Sequence, residues 1–126
     1  MKYLSESQTK SQLAAGRAVE QMLGHENHAD YRILHWLRIE PERNGSYSVA
    51  LFDVFDDGTP DYLDIYSFEP VDPDLAHGKI DSGKTMEQAL DYCLQNYGAK
   101  ANGWVGQGMI QDVYAELLKR HGVFER

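Results

Sequence analysis

Residues 46–55 are apolar on both alternating faces: Tyr47, Val49 and Leu51 on one, Ala50, Phe52 and Val54 on the other. A strand with that pattern has no solvent face to offer, so it predicts a central position covered, at least in part, on both sides. Residues 31–40 precede it with Tyr31, Ile33, Leu34, Trp36, Leu37 and Ile39, and with Arg32 and Arg38 on one alternating face. They read as a strand. Pro41 to Gly45 joins the two, and Asn44-Gly45 is a strong hairpin signal. After Asp56-Asp57-Gly58-Thr59-Pro60, which reads as a turn, residues 61–69 are expected to add a third strand and complete an antiparallel meander.

Helical signals flank this meander. Residues 6–23 carry an apolar stripe of Leu13, Val19, Met22 and Leu23 with Ala14, Ala15 and Ala18, opened by a possible capping box at Ser5 and Gln8 and weakened by Gly16. A helix is expected there, ending at Gly24. Residues 70–84 hold two prolines and two glycines and read as a loop. A second capping box, Thr85 with Gln88, opens a helix over 86–97 whose stripe contains Met86, Leu90, Cys93, Leu94 and Tyr97. A glycine-rich segment around Trp104 leads to a last helix at about 109–121, with Lys119, Arg120 and His121 where the helix dipole favours cations. The expected fold class is α+β: an N-terminal helix, a three-stranded antiparallel meander and two C-terminal helices packed on the sheet, in one domain spanning residues 1–126. Helices on one face of the sheet is the simplest arrangement. At 126 residues such a chain buries roughly two-thirds of its unfolded surface and needs no covalent staple.

Charge supplies the functional hint. Between Asp53 and Asp74 there are eight acidic residues and no Lys or Arg; the rest of the chain has twelve of each sign, so this stretch accounts for the whole net charge of −8. Phe55, Tyr62, Tyr66 and Phe68 are interleaved with the carboxylates. An acidic surface with aromatic anchors fits a cationic protein partner, which it would steer and then grip. It repels nucleic acid and anionic membranes, so neither is expected as a ligand. The residues expected to bind the partner are Asp53, Asp56, Asp57, Asp61 and Asp64 for electrostatics and Tyr62 and Tyr66 for packing. Turn-forming and edge-protecting roles compete with that reading, most of all for Asp56 and Asp57. Arg38 could also pair with Asp53 or Asp64 and neutralise part of the patch.

Other motifs carry less. Taken as a calcium loop from Asp53, the chain has Phe55 at the third position and Asp64 in place of the twelfth-position Glu, between strand-like flanks. His25-Glu26-Asn27-His28 spaces its histidines three apart in a connector, whereas a zinc-binding helix needs four. The glycines at 98, 103, 106 and 108 have neither the Lys-Ser/Thr nor the leading strand of a phosphate loop. Cys93, the single cysteine, lies in a helix stripe and reads as a buried, inert thiol; it permits no internal disulfide. His35, beside Trp36, reads as structural. No catalytic residue, metal or cofactor is expected.

The leading expectation is therefore a small, bacterial-type, cytoplasmic inhibitor or immunity protein that neutralises a basic toxin or nuclease, as a monomer or homodimer. The cytoplasmic reading rests on the lone cysteine and on an N-terminus without a signal-peptide core. A second expectation is a small enzyme with a pocket between the sheet and the C-terminal helices, lined by Trp104 and using His77 or His121 as acid or base. A third is a homodimeric adaptor.

Overall fold

A computed structural model describes residues 2–124 and shows an α+β fold of three helices and a five-stranded antiparallel sheet. The elements are α1 (Glu6–Ala14), β1 (Val19–Asn27), β2 (Arg32–Pro41), β3 (Tyr47–Phe55), β4 (Lys79–Lys84), α2 (Met86–Tyr97), β5 (Val105–Gly106) and α3 (Ile110–His121). The strand order is β4-β3-β2-β1-β5. β3 is internal, as its two apolar faces require, and β2 is the centre of the sheet rather than an edge.

Both capping boxes form: the Ser5 and Thr85 side chains accept from the backbone N–H of Gln8 and Gln88, whose side chains accept in return. The first helix is shorter than its periodicity predicts. It stops at Ala14, and Gly16 turns the chain at φ 82°. The expected second half, residues 15–23, instead leads into β1, where Ala18 through Gln21 are all buried. A stripe of Val19, Met22 and Leu23 suits either state. Pairing with β2 along the whole of β1 decides it in favour of the strand.

The expected third strand at 61–69 does not form. The chain leaves β3 at Asp56 and forms its next strand only at β4, so residues 56–78 make a 23-residue excursion containing two single 3-10 turns, Ile65–Ser67 and Pro73–Leu75. Ile65 and Phe68, three apart as on a 3-10 turn, point into the core, whereas Tyr62 and Tyr66 stay half exposed. The edge of β3 is taken by β4, which the sequence reading placed in a loop. Its Lys-Ile-Asp-Ser-Gly-Lys sequence is polar because the strand lies at the edge of the sheet.

The helices cover both faces of the sheet, not one. Leu34, Trp36 and Val54 pack with Ile65, Phe68 and the α3 stripe of Ile110, Tyr114 and Leu117. Leu37, Ile39 and Val49, on the other face, pack with Leu13 of α1, Ala89 and Cys93 of α2, and Trp104. None of the described helices is long and apolar enough to cross a membrane.

Candidate functional site: an acidic loop over an arginine-floored cavity

Excursions this long are uncommon in compact domains unless they serve a function. This one is held down at several points. At its start the Asp56 N–H donates to the Arg32 carbonyl, and the Asp56 carboxylate accepts from Arg32 Nη1 at 3.0 Å and from the Tyr114 hydroxyl. Gly58 follows in a space that admits no side chain: a Cβ there would collide with the Tyr114 ring and lie 2.7 Å from Phe68 Cζ. In the middle Ile65 and Phe68 enter the core. At Glu69–Val71 the returning chain runs beside the end of β3, with Phe55 N–H donating to Glu69 O and Val71 N–H to Asp53 O.

The predicted partner-binding residues divide accordingly. Asp56 is not part of any exposed surface: its side chain is fully buried and neutralised by Arg32. Asp57, Asp61 and Asp64 are exposed on the loop, as are Glu69, Asp72 and Asp74. Asp57 also accepts from the Glu69 N–H. Asp53 is exposed but belongs to the α2 face of the sheet, where His35 bridges it at 2.5 Å to Glu26 at 2.7 Å. Tyr62 packs edge-on to Phe68 and shares a hydrogen bond with Ser67. Tyr66 turns inward at its hydroxyl and keeps an exposed ring.

That hydroxyl belongs to a buried charge network which sequence reasoning missed. Glu20 is inaccessible to solvent. Register places it directly across from Arg38, which donates from Nε and Nη2 to Glu20 Oε2 at 3.0 and 2.9 Å. Tyr66 Oη donates to Oε1 at 2.6 Å, and the Gly108 N–H also donates to Oε1 at 3.1 Å. A buried carboxylate is tolerable only with its oxygens satisfied in this way. Burial, then the Glu20 carboxylate that accepts its proton, push the Tyr66 phenol above its usual range. Arg38 therefore pairs with Glu20, not with Asp53 or Asp64. The available signal was Arg32 and Arg38 in the same alternating phase as Leu34 and Trp36: cations in a core-facing phase require buried counter-charges.

Above Arg38 the sheet is uncovered. A cavity of about 470 Å³ opens there, floored by Trp36, Arg38 and Phe52 and walled by Tyr66, His77 and Gly108. Trp36 and Phe52 stack at 4.1 Å, and the guanidinium lies 5.3–5.7 Å from the Trp36, Phe52 and Tyr66 ring centroids. Among the described residues Arg38 Nη1 makes no hydrogen bond, and the buried Trp36 Nε1 has no partner. The cavity presents the Arg38 guanidinium between flat aromatic walls.

The residues of the other expectations are scattered. Trp104 is buried in the core of the opposite face. His77 lines the arginine-floored cavity, and His121 lines a different one. Among the described residues no group of three or more His, Cys, Asp or Glu is placed to hold a metal. Cys93 is fully buried, and burial pushes its thiol up to about 12. No family model, curated protein or solved structure matches the chain.

Proposed function

We propose that this protein is a binding module of the inhibitor or immunity type, which docks a basic protein such as a toxin or nuclease against the 56–78 loop. The observation that carries the reading is a long, irregular segment without Lys or Arg that keeps every acidic side chain but that of Asp56 outward while its backbone is tied to the core. Preorganisation matters because ordering a free loop on binding would cost roughly 0.5–1.5 kcal/mol per immobilised side chain. Asp57, Asp61 and Asp64 supply the field, with Asp53 adding to it from the other face. Tyr62 and Tyr66 present half-exposed rings at the centre of the acidic stretch, the usual composition of an interface anchor. Asp56 serves the fold and is left out of the contact set.

The test is affinity capture from the native host at low salt, with wild-type protein and an Asp57→Asn/Asp61→Asn/Asp64→Asn variant as baits. The expected result is one basic protein retained by wild type and lost by the variant. The purified pair should then weaken at least about tenfold between roughly 0.05 and 0.5 M salt. A partner held equally by both baits, or with salt-independent affinity, contradicts the proposal.

A further inference from the structure

A second cavity, of about 480 Å³, lies where the outer edge of β1 is exposed. β5 pairs with β1 only at Val19 and Glu20, so among the described residues the strand beyond them, including the irregularity between Met22 and Gly24, has no strand partner on that side. Four basic residues line the opening: His25 from β1, Arg120 and His121 from α3, and Lys100 from the segment before β5. No carboxylate of the described residues lines it. The nearby Glu116 is engaged by Lys2, and Glu26 is directed to His35 on the other face. Leu23, Val113, Leu117 and Tyr3 form the apolar part of the wall. In a chain of net charge −8, such a concentration of cations is at odds with the molecule as a whole.

From this lining we infer a binding site for a small organic anion, a carboxylate or phosphate ester whose charged group meets His25, Lys100, Arg120 and His121 and whose body packs on the apolar wall. The two imidazoles are 4.5 Å apart, centroid to centroid. Burial, the like charge of His121 and then Arg32 hold His25 below its ordinary value, with Asp56 opposing them. An anion seated against both imidazoles offsets that repulsion, so binding and protonation of His25 favour each other. The acidic loop does not forbid this. The loop carboxylate that His25 feels, Asp56, is buried and already paired with Arg32.

The experiment is an NMR titration of the whole protein at fixed ionic strength with inorganic phosphate, phenyl phosphate and benzoate. Resonances of His25 and His121 should shift saturably with millimolar or tighter affinity, and the His25 pKa should rise in the bound state. Both surface cations contribute charge-assisted contacts, so Lys100→Ala/Arg120→Ala should bind at least about tenfold more weakly while keeping a native spectrum. Tighter binding of phenyl phosphate than of benzoate assigns the phosphate ester, and the reverse order assigns the carboxylate. No saturable shift up to about 50 mM of any probe, or unchanged affinity in the double variant, overturns the site. Inorganic phosphate binding as tightly as phenyl phosphate overturns the organic part of the assignment.

Discussion

Arg32 and Arg38 stand on the same face of one strand, and each holds a carboxylate that is fully buried, yet the two pairs do different things. Arg32 is itself 4% exposed. Its donors are spent on the Asn27 side chain, on Asp56, and on the His121 and Gly122 carbonyls at the end of α3. It ties together the end of β1, the start of the acidic loop and a helix C-terminus, where a cation is favoured in any case. Arg38 is 23% exposed and opens onto a cavity with donor capacity left over. The same pairing of an arginine with a buried carboxylate is a structural clamp where everything is satisfied, and the floor of an open cavity where one side is left free. The loop takes its rigidity from the first and its cavity from the second.

The largest effect should follow from breaking the closed pair. Arg32→Ala leaves the Asp56 carboxylate buried without a counter-charge and frees the end of α3, so chemical denaturation should register a loss of about 3–5 kcal/mol. Glu20→Gln, at the open pair, should cost less, about 2 kcal/mol, because Arg38 can turn its charge to water through the cavity. Equal losses in the two variants would dissolve the distinction between clamp and cavity floor.

A smaller effect tests the burial of His25 and the fields of His121 and Arg32 upon it. His25 is held below its ordinary value in the fold, so above about pH 6.5 it is neutral in both states and contributes nothing. As pH falls below that value the unfolded chain takes up the proton first, and stability declines until the folded-state pKa is passed. His25→Gln should therefore lose less stability than wild type between about pH 7.5 and 5.5, as measured by denaturation at each pH. An identical pH dependence would show that neither burial nor its cationic neighbours lowers the His25 pKa.

These networks explain why some of the molecule was legible in the sequence and some was not. α2 and α3 were readable because Thr85 with Gln88 and the stripe of Ile110, Val113, Tyr114 and Leu117 are local signals that tertiary structure reinforces. β3 announced its central place through its two apolar faces. Residues 19–23 were ambiguous in period, and only pairing with β2 resolves them. Once they are read as helix, Glu20 has no visible partner, and the Glu20–Arg38–Tyr66 network disappears with the register that creates it. Tyr62, Tyr66 and Phe68 look like one strand face, but the core contacts of Ile65 and Phe68 favour a 3-10 turn. The acidic stretch was legible as charge. That Asp56 alone turns inward depends on Arg32 and Tyr114, which are distant in sequence.

The most direct measurement is the hydrogen-exchange footprint of the complex with the captured basic partner. Protection confined to residues 57–77 and the adjoining Gln107–Gly108 segment is the predicted result, since these border the acidic loop and its cavity. Protection centred instead on α1, α2 or the β4 edge, with exchange in the loop unchanged, would contradict it.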